Sequence, residues 1–340
     1  MADTKVYGSK ETLKGMGSVA QIVDDWAGKN VIAISAADLP SKEELKKLPT
    51  SQQDQFFIDA IKKYHPEMTP EQAQKINNAG VALSSMTVKG WIGVLMPQAN
   101  LPFVILVVPD PKMTKDELVS TMTANYVKPG DFKNIPGDKD DWVFLAMAHE
   151  AGHLKDPQGP IGVRGELYAQ KSGMETYYES LAAGMSLDPR VPEAARALYA
   201  LGAGKGVEDH AIAPALQMPG EKGAFAHTGV ESFYVSNLIR DKVIAIVNAE
   251  TEGGHEEAEK MVSENPRLFV ETVKRLNHAG AFKDDPVEQK AADIIMNGAD
   301  RYMKSSDTDP DSDSRFAPSL SEDSQSNPAV STPSFTYKPG

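Results

Sequence analysis

The residues of this chain that are best suited to chemistry lie close together, at His149-Glu150-Ala151-Gly152-His153. The segment around them, Trp142–Leu154, is almost wholly apolar and predicts a buried helix. Residues four apart lie on one face of a helix, so His149 and His153 can bind one metal ion through their imidazoles. Glu150 lies about 100° further round the helix, where its carboxylate can face a metal-bound water. This spacing predicts hydrolysis by a metal-activated water.

The rest of the same helix supports a buried site. Trp142, Leu145 and Ala146 continue the stripe of the two histidines toward the helix start, so the ligand face is also the apolar face. Asp138 or Asp140 can cap the first turn. The alternative is a buried helix whose histidines only satisfy hydrogen bonds. We disfavour it because burying two imidazoles and an acid on an apolar helix is costly.

This helix resembles the active-site helix of the zincin metallopeptidases. In the metzincin branch, Gly and His follow the second His by three and six residues, whereas this chain has Asp156 and Gly159 there. The gluzincin branch takes its third ligand from a Glu on a following helix, and a helix is predicted to follow here. The resemblance implies Zn²⁺ held by His149, His153 and one such Glu, with Glu150 as the general base.

Glu166 is the first candidate for the third ligand. It lies in Gly165-Glu166-Leu167-Tyr168-Ala169-Gln170, which is similar to the gluzincin pattern of a Glu, an aromatic residue and an Ala three residues on. The small Ala169 would let this helix pack against the motif helix, and Gly152 leaves room for a neighbouring backbone or for substrate beside His153. Gln170 departs from the resemblance, because several gluzincin families have Asp or Asn at that position.

Glu175 is the alternative third ligand, since its distance along the chain from the second histidine is nearer to that of other gluzincins. The acid that does not bind the metal is expected either to be exposed to solvent or to contact the ligand side chains without touching the metal. Glu179, on the same predicted helix, is a further acid of this kind.

The oxyanion formed in peptide hydrolysis also needs a hydrogen-bond donor. His210 is the preferred candidate because it follows Glu208 and Asp209, which could orient it, and precedes an apolar segment. The other candidates are His227 and three tyrosines on the predicted ligand helix, Tyr168, Tyr177 and Tyr178.

Composition narrows the class of protein. The chain has 340 residues and no Cys, which excludes disulfides, thiol nucleophiles and thiolate metal sites, so a metal must be held by His and carboxylates. A net charge of −13 argues against a surface that binds nucleic acid.

The sequence shows no sign of a secretory signal or of a membrane span. The first thirty residues contain no apolar segment of the kind found in a secretory signal, and the longest apolar run, 103–108, is too short to span a membrane. We expect a cytoplasmic protein, or one exported without a cleaved signal peptide.

The elements that must position these residues follow from hydrophobic periodicity. Strands are predicted at Asn30–Ser35, Val88–Met96 and Pro102–Val108, the last two forming a β-hairpin. Beyond residue 111 the pattern is almost entirely helical. The predicted helices are Val19–Trp26, Lys42–Leu48, Ser51–Tyr64, one that opens at Thr69-Pro70-Glu71, Thr114–Asn125, Asp140–Lys155, Ile161–Met185, Pro192–Leu201, Glu208–Leu216, Val230–Ala249, Glu256–Ser263, Pro266–His278 and Val287–Met303.

The expected fold is α+β and zincin-like, with a small mixed sheet packed on the active-site helix and a mainly helical C-terminal part. Residues 1–137 would form an N-terminal lobe with the hairpin 88–108 at the sheet edge, and 138–304 the helical catalytic lobe. Residues 305–340 are rich in Ser, Asp and Pro and are predicted to be a disordered acidic tail.

These expectations define a zinc metallopeptidase acting on a peptide or protein substrate. Zincins bind substrate as an extended strand at the sheet edge, so one hairpin strand should border the site. Two alternatives remain open: a non-catalytic zincin-like interaction protein, and a metal-dependent hydrolase of a non-peptide amide. An intact Glu150 disfavours the first, since an interaction protein needs no general base.

Overall fold

The computed structural model describes residues 6–7, 30–49, 52, 55, 58–59, 61–63, 66, 68–71, 93–95, 103–155, 162–207, 218 and 229–304. The chain divides into two units, Met1–Lys304 and Ser305–Gly340. The helices predicted at Val19–Trp26 and Glu208–Leu216, and the tail predicted at 305–340, lie outside the described residues.

A four-stranded mixed sheet forms the N-terminal part, in the order β1-β2-β4-β3. Strands β2 and β4 pair in parallel with Asn30 opposite Phe103, and their described side chains are buried. Two central parallel strands are covered on both faces, which explains their continuous apolar sequences. β3 pairs antiparallel with β4, as the predicted hairpin requires, and is the end strand on that side of the described sheet. The strands are β1 (Val6–Tyr7), β2 (Asn30–Ser35), β3 (Gly93–Leu95) and β4 (Phe103–Val108).

Helices dominate the rest of the described chain, which therefore belongs to the α+β class. The predicted helix bounds between 114 and 303 agree with the structure to within a few residues wherever both are described. The helices are α1 (Lys42–Lys46), α2 (Lys115–Met122), α3 (Lys139–Lys155), α4 (Gly162–Ala182), α5 (Val191–Ala200), α6 (Gly202–Lys205), α7 (Gly229–Glu250), α8 (Gly254–Glu264), α9 (Pro266–His278) and α10 (Pro286–Tyr302).

Helix α3 lies at the centre of the core. Every side chain from Trp142 to His149 is buried, so this helix is covered all round rather than on one stripe. The indole Nε1–H of Trp142 donates to the carbonyl of Pro136, which satisfies the one polar group of that ring. A helix enclosed in this way holds the side chains at its C-terminal end in a rigid frame.

Two aspartates cap the start of α3 reciprocally. The backbone N–H of Asp141 donates to Asp138 Oδ1 at 3.1 Å, and the backbone N–H of Asp138 donates to Asp141 Oδ2 at 2.7 Å. Of the two caps predicted, Asp138 is therefore the one that is observed. Such a pair satisfies two backbone donors that the helix itself leaves unbonded.

The same region ties α3 to the end of α4. The backbone N–H of Asp188 donates to Asp141 Oδ1 at 3.0 Å, and the Tyr177 hydroxyl donates to the Asp188 carbonyl at 2.9 Å. The backbone N–H of Gly137 donates to Asp188 Oδ2 at 3.0 Å. These bonds hold the start of α3 beside the loop that follows α4, and so help to set the relative position of the two helices.

The Asp188 carboxylate is expected to make part of the free energy of unfolding depend on pH. Hydrogen bonds from the Arg190 side chain, above all, lower the pKa of Asp188 to about 2. A lowered pKa stabilises the fold above the unfolded value near 4, and the contribution is lost as pH falls from about 4 to about 2. Arg190→Gln should therefore reduce the free energy of unfolding at pH 6, by a modest amount because the guanidinium is exposed to solvent. Urea titrations at pH 6 and pH 3 should show this difference shrinking, with Arg164→Gln as a surface control that lacks it.

Candidate metal centre

Helix α3 places both histidines of the motif on its buried face. His149 is 7% exposed and His153 is 6% exposed, and their Nε2 atoms lie 3.1 Å apart. The spacing of one helical turn brings the two rings together, as the sequence predicts. Two buried imidazoles whose Nε2 atoms meet at one point form half of a typical zinc ligand set.

Helix α4 supplies a carboxylate at the same point. Glu166 Oε2 lies 3.3 Å from His149 Nε2, and Glu166 Oε1 lies 3.4 Å from His153 Nε2. The three residues together offer ligand atoms that all lie within 4.8 Å of one another. Within the described ranges this is the one such group of three or more potential ligands.

The distances fit a single ion bound by three ligands. Atoms about 2.0 to 2.2 Å from zinc, at tetrahedral angles, lie about 3.3 to 3.6 Å from one another. The two Nε2 atoms are 3.1 Å apart, and Glu166 approaches His149 through Oε2 at 3.3 Å and His153 through Oε1 at 3.4 Å, so both carboxylate oxygens face the same point. The donor set of two imidazoles and one carboxylate is also that of known catalytic zinc sites, which leave a fourth position for water.

Close packing between α3 and α4 makes these distances possible. A Cβ atom at Gly152 would lie 2.7 Å from Ala169 Cα, and one at Gly173 would lie 2.9 Å from the backbone nitrogen of His149. Both glycines therefore allow the two backbones to approach more closely than any other residue would permit. Of the two occupants predicted beside Gly152, a neighbouring backbone and substrate, the structure shows the backbone of Ala169, and the predicted packing of Ala169 against α3 is confirmed.

The charges around His149 oppose the effect of its burial. Burial lowers the pKa of the imidazole, but a hydrogen bond with Glu166 and the negative charges of Glu150 and Glu166 raise it, and the net shift of the pKa is upward. Glu150 is partly exposed and does not belong to the three-residue group. Its carboxylate is thus near the ligands without being one of them, as a general base must be.

Tyr199 on α5 is influenced by the charges of the site, which the sequence did not predict. Its side chain is 5% exposed, and its pKa is raised by burial and then by the negative charges of Glu150 and Glu166. Helix α5 packs on α3, which places this phenol in the electrostatic field of both carboxylates. In the sequence Tyr199 lies in an apolar helical segment far from the motif, and no local pattern distinguishes it from a core residue.

Glu175 lies outside the ligand group. Its side chain is 60% exposed and forms an ion pair with Lys171 at 3.8 Å. It follows Glu166 by nine residues on the same helix, a rise of about 13 Å. The structure therefore brings Glu166, and not Glu175, to the two histidines. Glu179 is likewise exposed.

The tyrosines predicted on the ligand helix have other surroundings. Tyr168 is exposed, Tyr177 is buried and bonded to the loop at Asp188, and Tyr178 borders a separate cavity. His210 and His227 lie outside the described residues, so the prediction for His210 stays a prediction. None of the three tyrosines belongs to the group around Glu166.

The end strand of the described sheet borders the same helix. Strand β3 packs against α3, and its outer edge has no partner strand among the described residues.

Among the described residues, every helix is too short or too polar to span a membrane.

Comparison of the chain with protein-family models, with curated proteins and with solved structures gave no match. Its function must therefore be inferred from the chemistry of the site.

Proposed function

We propose that this protein is a zinc-dependent metallopeptidase of the zincin type, gluzincin-like in its ligands. One observation carries the proposal: His149, His153 and Glu166 converge at ligand distances, beside a carboxylate that is not a ligand. A metal site with three protein ligands keeps a position open for water or substrate, as catalytic zinc sites do. Bound zinc would lower the pKa of that water to about 7 and polarise the substrate carbonyl.

Glu150 would move the proton. As the water oxygen attacks the scissile carbonyl carbon, the Glu150 carboxylate accepts a proton from the water. It then delivers that proton to the leaving nitrogen as the C–N bond breaks, which yields one carboxylic acid and one amine. Glu150 directly follows His149 on α3, so the base and two of the ligands would belong to one rigid element.

Tyr199 is the described residue best suited to stabilise the oxyanion. Burial and the nearby carboxylates raise the pKa of its phenol, so the hydroxyl stays protonated and able to donate at neutral pH. Tyr199→Phe should lower kcat about 10²-fold with little change in KM or zinc content, since the ring is kept and only the donor is lost. Steady-state kinetics would measure this, with the exposed Tyr168→Phe as control. An unchanged kcat would mean that another residue donates the hydrogen bond to the oxyanion. The variant His210→Gln tests the donor that was predicted from the sequence.

The substrate is expected to bind as an extended strand along β3. An edge strand offers backbone donors and acceptors to a peptide, and β3 lies against the helix that carries the histidines. We therefore propose peptides or unfolded protein segments as the substrate class.

Zinc content and peptide cleavage test the proposal together. The purified chain should contain about one zinc per molecule, and Glu166→Gln should lower zinc affinity at least tenfold because a neutral amide is a poor ligand. Glu175→Gln makes the same change of charge nine residues away on the same helix and should leave zinc affinity unchanged.

Cleavage of a mixed peptide library by the zinc-loaded protein should be abolished by chelation and restored by zinc. Stoichiometric zinc without any cleavage would favour a non-catalytic zincin-like interaction protein. Hydrolysis of small amides but not of peptides would instead assign a non-peptide amidase.

A further inference from the structure

The imidazole of His149 has one buried nitrogen without a partner. Its Nε2 atom lies 3.1 Å from His153 Nε2 and 3.3 Å from Glu166 Oε2, so Nε2 is the nitrogen that points to the candidate metal centre. The other ring nitrogen, Nδ1, is buried and makes no hydrogen bond in the described part of the chain. A neutral imidazole that binds a metal through Nε2 carries its proton on Nδ1. The metal centre would therefore create a buried N–H donor that needs an acceptor.

Gln170 on α4 is a second buried residue with an unpartnered polar group. It is 3% exposed, and its Nε2 atom makes no hydrogen bond within the described ranges. A buried amide is rarely left in this way, because it has lost its hydrogen bonds to water without replacing them. An apolar side chain of similar size would fill the same space without that loss, so an amide at this position calls for a role.

Both groups belong to the contact between α3 and α4. Residues three or four apart share a face of a helix, so Gln170 lies on the face of α4 that carries Glu166 and Gly173. At one end of this stretch, a Cβ at Gly173 would lie 2.9 Å from the backbone nitrogen of His149. At the other end, Glu166 reaches the Nε2 atom of His149. The side chain of His149 therefore extends along the part of α4 that contains Gln170.

The amide of Gln170 can supply the acceptor that Nδ1 needs. A glutamine amide presents a carbonyl oxygen and an NH₂ group at similar positions, and a half-turn about its terminal torsion exchanges them. With the oxygen toward His149, the ring N–H and the amide satisfy each other. The amide is neutral, so it adds no charge at a site where Glu150 and Glu166 already act on this imidazole.

We propose that Gln170 is a positioning residue of the metal centre, whose amide oxygen accepts a hydrogen bond from the Nδ1–H of His149. This bond would fix the orientation of the ring and keep its proton on Nδ1, which leaves Nε2 free to bind zinc. The inference rests on the zinc centre of the proposed function but not on peptide hydrolysis. Hydrogen bonds behind metal-binding histidines typically change metal affinity by about 10- to 100-fold.

Zinc affinity, measured by chelator competition on the full chain, separates the acceptor from packing. Gln170→Met keeps a similar length and shape but has only a weakly accepting thioether, and it should weaken zinc binding about tenfold. Gln170→Glu keeps an oxygen at the same position and should bind zinc at least as tightly as the wild type. Gln52→Met makes the same replacement at an exposed position and should have no effect.

Nuclear magnetic resonance of the zinc-loaded wild type tests the contact without any variant. The proton on Nδ1 of His149 should exchange slowly with water and show a nuclear Overhauser effect to the side-chain amide protons of Gln170. In Gln170→Met the same ring proton should exchange faster.

The possible failures are distinguishable. Wild-type zinc affinity in Gln170→Met would show that the amide is dispensable, and an equal loss in Gln170→Met and Gln170→Glu would show that only its shape matters. Either result, or a His149 Nδ1–H that contacts a different residue, would overturn the positioning role while the zinc centre stands. A wild-type chain that bound no zinc would contradict the proposed function itself, and this role with it.

Discussion

Replacement of Glu150 by Gln is expected to lower kcat for peptide hydrolysis about 10³-fold while the zinc content stays unchanged. The amide has the shape of the carboxylate but cannot accept a proton from the attacking water. Because Glu150 is partly exposed and lies outside the ligand group, its replacement should not disturb the core or the metal. Single-turnover kinetics on a fluorogenic peptide, with zinc measured on the same sample, would give both quantities.

Glu175→Gln is the matched control for this experiment. It removes the same charge from an exposed position and should keep full activity. If Glu150→Gln retained wild-type kcat, Glu150 would not be the base and the proposed mechanism would be wrong. If both the variant and the wild type were inactive despite bound zinc, the chain would bind metal without catalysing hydrolysis.

Replacement of Gly173 by Ala is expected to weaken zinc binding by about 10- to 100-fold and to destabilise the fold by about 1 to 3 kcal/mol. The added Cβ would lie 2.9 Å from the backbone nitrogen of His149 and 3.0 Å from its Cα. Backbone atoms inside a helix cannot move aside as a side chain can, so α4 must shift away from α3. Glu166 moves with α4, and its distances to both histidines must then increase.

The sign of the change in the free energy of unfolding distinguishes the packing contact from helix propensity. Ala is a better helix former than Gly by about 1 kcal/mol, so without the contact the variant would be more stable than the wild type. Gly152→Ala, with a Cβ 2.7 Å from Ala169 Cα, should act in the same direction. Gly130→Ala is the control, since nothing lies within 4 Å of its Cβ position. Zinc affinity by chelator competition and unfolding in urea measure both effects, and wild-type zinc affinity in Gly173→Ala would show that the centre does not depend on this approach.

Local sequence was sufficient for the elements whose cause is local. The bounds of α3 follow from apolar periodicity, and an aspartate cap was predictable because such a side chain bonds to its own first turn, although the choice of Asp138 over Asp140 came from the structure. The β-branched runs predicted β2 and β4 for the same reason. The parallel pairing of β2 with β4 could not be read from either strand, because strands separated by some seventy residues pair only in the folded chain.

The residues of the candidate site were likewise predictable only in part from the sequence. His149 and His153 were predictable as a pair because residues four apart on any helix lie on one face, whatever surrounds it. The choice of Glu166 over Glu175 depends on where α3 and α4 cross, and that crossing is set by the contacts of Gly152 and Gly173 with the opposite backbone. The sequence named both acids and favoured Glu166, but it contained no distance that could exclude Glu175.

Tyr199 shows most clearly which residues sequence-based prediction cannot find. By itself the sequence determined two imidazoles and a neighbouring carboxylate, since helical spacing alone presents them together. Only the tertiary structure brought Glu166 from α4 to the two imidazoles and placed Tyr199 of α5 in the field of Glu150 and Glu166. The physical reason is that side chains on different helices meet through the packing of whole elements, and packing depends on contacts between residues that are distant in sequence.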